Sequence, residues 1–190
     1  MVFSLLSRLV NGVKGGVTAS LKGVSDISSA IVGAVKNTIT TTLKESGEFI
    51  SEGVNGAASI TQGAIKGVAS VGASFIGSIK GIVQGTVEGF MESGGKQDEA
   101  VQGAVGQAVL SAKELGKDVG ETAVASVTGS INAVKNVGGD TAAATKDSIF
   151  AALNAAKGIG DETYHAVAQT LSTSVDGGKE IVEEFKVKEA

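Results

Sequence analysis

Residues 13–188 divide into sixteen consecutive blocks of eleven, with apolar residues at three recurring points: the first, the fourth or fifth, and the eighth or ninth. The blocks 13–23, 68–78 and 101–111 show the pattern plainly. The second point holds Val, Ile, Leu or Phe in every block except 90–100, and the third fails only there and at Thr141/Ala142. A fixed internal period sets the architecture before any local motif does.

Eleven residues make three helical turns at about 3.67 residues per turn, close to the natural α-helical value of about 3.6. The apolar points then cover an arc of about 130°, and their stripe runs almost straight along the helix. Heptads would wind such a stripe left-handed around a coiled-coil partner. Hendecads suit a flat apolar surface or a slightly right-handed bundle, and the period alone does not choose between these two. The fold class predicted is all-α: long amphipathic helices of eleven-residue repeats, arranged as a helical hairpin or as extended rods.

Composition adds a condition. The chain of 190 residues has no Pro, no Cys and no Trp, but 28 Gly. An absence of Pro fits long helices, since an internal Pro costs about 3 kcal/mol. An absence of Cys excludes disulfides and Cys-ligated metal. The glycines act the other way, because each costs a helix about 0.8–1 kcal/mol relative to Ala. Burying two or three aliphatic side chains per block, at about 1.5–3 kcal/mol each, offsets that loss only against another apolar phase. Folding is therefore predicted to be conditional on a surface or on self-association.

The repeat falters in block 90–100, where Gly94 and Gly95 precede a charged run, and a hinge is predicted within residues 93–99. The organisation read from this is an N-terminal apolar anchor (1–12), a first repeat segment (13–92), the hinge, and a second, more acidic segment (100–190). Uninterrupted, each segment would be a rod on the order of 115–130 Å long. Weaker interruptions lie at Gly138-Gly139-Asp140 and Gly177-Gly178, where Asp140 or Asp176 either caps a helix or sits on the polar face of a continuous one. Phe3, Leu6, Leu9 and Val10 recur at helical spacing, as in an interfacial anchor or a first turn packed on the rest. The uncharged runs are shorter than the about 18 residues that span a bilayer, and residues 53–79 are broken by Lys66.

The stripe proposed to face lipid is Val17, Ile27, Ile39, Ile60, Val71, Val83, Val105, Leu115, Val127, Ile149, Ile159 and Leu171. Lysines recur at the second position of the block: Lys14, Lys36, Lys80, Lys113, Lys135, Lys146, Lys157 and Lys179. This places them on one shoulder of the stripe, where an alkyl stem can follow the apolar surface while the ammonium reaches a lipid head group. Acids such as Asp26, Glu48, Glu92, Glu114, Asp147 and Glu180 fall nearer the centre of the polar face. Gly77, Gly81, Gly85 and Gly89 form a G-x-x-x-G series opposite the stripe. It reads either as small residues on a weakly charged polar face, the reading favoured here, or as a rail for a second helix packed on the back of the first.

Candidate chemistry is sparse. His165 is the one histidine; with no Cys it gives no zinc spacing, and it reads as a solvated surface residue near Asp161 and Glu162. Gly94-Gly95-Lys96-Gln97 lacks the spacing of a phosphate loop, and no G-x-S-x-G occurs. The net charge is −4, with seven basic and six acidic residues in 1–93 against nine and fourteen in 94–190. No basic stripe with interleaved aromatics exists, so nucleic acid is not an expected partner. Neither an enzymatic role, a metal, a cofactor nor a small-molecule substrate is expected.

Stretches such as Gly63-Ala64-Ile65-Lys66-Gly67-Val68, Gly81-Ile82-Val83-Gln84-Gly85-Thr86-Val87 and Ala133-Val134-Lys135-Asn136-Val137-Gly138-Gly139 resemble the repeats of perilipins and synucleins. The resemblance is one of pattern over nearly the whole chain, without the synuclein hexamer Lys-Thr-Lys-Glu-Gly-Val. It implies disorder in water, helix on lipid, and a coat on lipid droplets or vesicles. Late-embryogenesis-abundant proteins also use eleven-residue repeats, but they are more hydrophilic than this chain, whose mean hydropathy is +0.23. The reading is thus a non-enzymatic, cytoplasmic protein, peripheral on a droplet, granule or membrane, with a lipid monolayer or bilayer as partner. The alternatives are a desiccation protectant or a self-associating homo-oligomeric bundle or filament. A bundle would be marked by large residues filling a core, and the stripe is instead rich in Val and Ala.

Overall fold

The computed structural model describes residues 2–21, 26–46 and 53–189, a range that leaves Glu48 and the side chain of Phe3 outside the described residues. Those residues form nine α-helices and no strand: α1 Val2–Ser20, α2 Ile27–Ser46, α3 Gly53–Ser70, α4 Phe75–Glu92, α5 Gln97–Glu114, α6 Val119–Val137, α7 Thr141–Ile159, α8 Asp161–Ser174 and α9 Gly178–Glu189. The chain is all-α. The longest described helix has 20 residues, about 30 Å at 1.5 Å per residue, so the continuous rods expected for each segment are absent here.

Glycine stops them. Gly72, Gly94, Gly116, Gly138 and Gly160 have positive φ, each 22 residues after the one before. At three of these turns the helix closes in the same way. The amides of Gly95, Lys117 and Gly139 donate to the carbonyls of Phe90, Ala112 and Val134, each at 2.8 Å, and the amides of Gly94, Gly116 and Gly138 donate to Met91, Lys113 and Lys135. This is the Schellman arrangement, in which a left-handed residue satisfies the last carbonyls. Glycine takes that conformation without a Cβ penalty. The next helix then starts on a side-chain cap: Ser74 accepts from the Gly77 amide, Asp118 from Glu121 and Asp140 from Ala143. Of the two readings of Asp140, the cap is the one found.

Turns this short reverse the chain, so consecutive helices run antiparallel. Packing is densest between each helix and the one two along, giving two layers: α1, α3, α5 and α7 with the short α9, and α2, α4, α6 and α8. Within a layer the helices run parallel, since Gly63 and Gly67 of α3 meet Val10 and Lys14 of α1, in the same order. Both layers continue across residues 93–96, where α3 meets α5 and α4 meets α6.

Contact within a layer is made through glycine. A Cβ at Gly81 would lie 2.5 Å from the Ser28 carbonyl oxygen, and one at Gly85 would lie 2.9 Å from both the Val32 oxygen and the Val35 Cβ. Gly103 and Gly129 sit still closer to the carbonyls of Val54 and Lys80. The reading of Gly81, Gly85 and Gly89 as polar-face residues is therefore corrected. All three are buried against α2, and Gly77 alone of the series is exposed. Close approach also explains why a core of Val, Ala and Ile suffices without many large side chains: backbones separated only by glycine leave a thin gap to fill.

Two glycine substitutions should differ in sign. Gly106 has open space around its Cβ position in the middle of α5, so Gly106→Ala should stabilise by about 0.5–1 kcal/mol. Gly85→Ala gains the same propensity but drives Cβ into α2, and should destabilise by about 1–3 kcal/mol. Urea denaturation checks both, and equal stabilisation by the two would contradict the close approach.

Candidate functional site

Of the twelve stripe residues, Val17, Ile39, Ile60, Val83, Val105, Val127, Ile149 and Leu171 are buried, all at 0% exposure. They lie within helices and join one continuous core. The other four are set apart: Val71 is 38% and Leu115 44% exposed, while Ile27 and Ile159 are half-buried. These four are 44 residues apart in sequence and sit at helix starts, ends or turns. Alternate blocks thus do different work: one centres a helix on a buried aliphatic residue, the next forms a turn.

The shoulder lysines do not form one surface. Lys14, Lys113, Lys135, Lys157 and Lys179 are exposed, and Lys36, Lys80 and Lys146 are half-buried. Three reach acids on other helices: Lys36 meets Glu88 and Glu92, Lys146 meets Glu184 at 2.6 Å, and Lys157 meets Glu189. Gly94 and Gly95 lie in the α4–α5 turn, where Gly94 has φ 89°. In α1, Leu9 is buried, and Leu6 and Val10 are half-buried beside a groove shared with α3.

One polar cluster escapes the repeat. The Glu88 side chain is only 5% exposed. Its Oε1 accepts hydrogen bonds from Gln84 Nε2 at 2.9 Å and Asn136 Nδ2 at 2.8 Å, while Oε2 lies 3.4 Å from Lys36 Nζ. Lys36 also pairs with Glu92 at 2.6 Å. Glu88 therefore ties α2, α4 and α6 together within one layer. The sequence signal was Glu88 at the tenth point of its block, directly before Gly89 of the G-x-x-x-G rail, a face that reads as solvated when the rail is not given a partner. The Glu92 carboxylate, accepting a hydrogen bond from Lys36, holds that ammonium above the ordinary lysine range, against the effect of burial.

The remaining openings are troughs between parallel neighbours in a layer. One lies between α2 and α4, lined by Asp26, Ser28, Ser29, Val32, Lys80 and Gln84. Another, between α5 and α7, holds Asp98, Gln102, Asp147, Phe150, Ala151 and Asn154. Burial, and then the charge of Asp98, push the Asp147 carboxyl above the usual carboxylate range. His165 is exposed on α8, its ring 5.4 Å from that of Tyr164. Among the described residues no three His, Asp or Glu side chains gather as a metal site, and no helix is long and apolar enough to cross a membrane. Residues 53–79 are divided by the turn at Val71–Ser74.

Compared with models of known protein families and with curated proteins, the chain matches none. What it does is therefore argued from its own geometry. That geometry offers an apolar stripe occupied by neighbouring helices, small buried hydroxyls, and surface troughs too open to exclude water. Thr61 and Thr86 meet across α3 and α4 with their oxygens 3.4 Å apart, and Ser130 and Ser148 meet across α6 and α7 at 2.9 Å. No buried side-chain nitrogen or oxygen among the described residues lacks a partner.

Substitutions separate the buried acid from the exposed one. Glu88→Ala leaves Lys36 and Asn136 without their shared acceptor and should destabilise by about 3 kcal/mol. Glu92→Gln should cost less than about 1 kcal/mol. The Glu92 contribution acts through a raised lysine, so it is fully present below the ordinary value of 10.5 and is lost as pH rises through the higher folded value. The stability gap between wild type and Glu92→Gln, read from urea midpoints, should be constant at neutral pH and close in alkali.

Proposed function

We propose that the protein is a non-enzymatic, exchangeable lipid-surface coat: a two-layer helical stack in water that opens and lays its stripes on a droplet, granule or membrane. The observation that carries this reading is the division of labour between blocks. Each helix buries its own aliphatic centre and ends on its own cap and glycine turn. A helix can therefore trade a neighbouring helix for an acyl surface while its internal hydrogen bonds stay intact. Both surroundings bury the same apolar area, so the exchange costs little hydrophobic energy. On lipid, the turn glycines allow neighbouring helices to join into longer amphipathic rods of eleven-residue repeats, with a hairpin bend retained at 93–99. Location is then cytoplasmic and peripheral.

One observation favours a second reading. The stripe is already covered by this chain's own helices, as in a structural or protective stack that acts closed, alone or as a homo-oligomer.

The two readings part on whether opening matters. The chain has no cysteine, so Thr61→Cys with Thr86→Cys, and Ser130→Cys with Ser148→Cys, place sulfur pairs where hydroxyl oxygens now lie 3.4 and 2.9 Å apart. Oxidation would bridge α3 to α4 and α6 to α7 with small shifts. Wild type should float with lipid vesicles or oil droplets, the oxidised variant should retain less than about a tenth of that binding, a 1.4 kcal/mol difference, and reduction should restore it. A wild type that ignores lipid would overturn the coat and favour the closed stack.

A further inference from the structure

The C-terminal ends of α1, α3, α5 and α7 lie along one rim, because these helices run parallel in one layer. Large apolar side chains more than a third exposed occur at four described positions: Val71, Leu110, Leu115 and Val187. Three of them stand on this rim. Val71 follows α3, Leu110 is in the last turn of α5, and Leu115 is its C-cap. Neighbouring helices pack at about 8–10 Å, so these side chains form a patch rather than scattered single residues. Lys66, Lys113 and Lys117 surround them, all exposed and none in an ion pair. The acids nearby are Glu114 on α5, and Asp118 and Asp161 at the starts of α6 and α8, across in the other layer; Asp118 is engaged in capping, at 2.8 Å from the Glu121 amide.

We propose that this rim is where the closed stack first docks, and that its partner is a phospholipid surface bearing anionic head groups. The inference rests on the coat reading above and adds the point of contact to it. Aliphatic side chains ringed by unpaired lysines match an interface in which acyl chains lie beneath phosphates. Lysine stems cover the apolar patch while their ammonium groups reach upward to the head groups. The turn glycines Gly72 and Gly116 directly follow Val71 and Leu115, so inserting these residues strains the hinges that opening must unwind. Docking and opening are thereby coupled at the same residues.

The test measures association of the full chain with phosphatidylcholine vesicles, with and without phosphatidylserine, by stopped-flow light scattering. Val71→Thr, Leu110→Gln and Leu115→Gln together should slow association with phosphatidylserine vesicles at least about tenfold, about 1.4 kcal/mol, while far-UV circular dichroism in buffer stays that of wild type. Val187→Thr, on α9, should change nothing. Lys113→Glu with Lys117→Glu should slow association with the anionic vesicles only, and keeps the test open should the triple variant fold poorly. The oxidised, bridged protein should still dock through the rim, reversibly and without spreading. Rim variants that associate at the wild-type rate overturn the rim and leave the coat reading standing. A wild type that binds neither vesicle overturns both.

Discussion

Everything in this fold depends on the close approach of helix backbones through glycine. Gly63, Gly67, Gly81, Gly85, Gly103 and Gly129 each face the backbone of the helix two places earlier in the chain. A methyl group at most of these points would collide with a carbonyl that cannot move without moving its helix. The same residues that weaken each helix in isolation, by about 0.8–1 kcal/mol apiece, are the ones that let the helices meet. Helix formation and stacking are therefore one event. An apolar phase is needed, as composition dictates, and in this structure the neighbouring helices are that phase.

Thin spacing fixes the chemistry of the interior. Between closely apposed backbones there is room for Val, Ala, Ile, Ser and Thr, and the buried hydroxyls fold back onto carbonyls one turn earlier, as Ser78, Thr122, Ser126 and Ser148 do. Such a core has few interlocking side chains and many small, near-equivalent contacts. Uniqueness comes from elsewhere: the glycine collisions set which faces meet, and the Glu88 cluster permits one register of α2, α4 and α6. A stack held by shallow contacts and a few polar ties suits reversible opening better than a jigsaw core would.

The sequence makes the helical class and the buried identity of most of the stripe legible, because the period near 3.6 and the aliphatic points both report a one-sided helix. It hid the turns for a simple reason. Reading every block as equivalent averages over two alternating kinds. In the helix-centre blocks from Val83 onward the apolar residue is at the fifth point, as in Val83, Val105, Val127, Ile149 and Leu171. In the turn blocks it moves to the fourth, as in Val71, Leu115 and Ile159, and glycine takes the fifth. The true unit is 22 residues, one helix and one turn. Missing that also misread the glycine rail and Glu88. A face opposite the stripe is solvated on a lone rod, but buried when another helix stands behind it.

Amide hydrogen exchange in lipid-free buffer tests the central claim, that the helices stack on one another in water. The account predicts slow exchange through the middles of α3 to α7, broken by fast positions that recur every 22 residues at the glycine turns. Fast exchange along the whole chain in buffer, with protection appearing only on lipid, would contradict it.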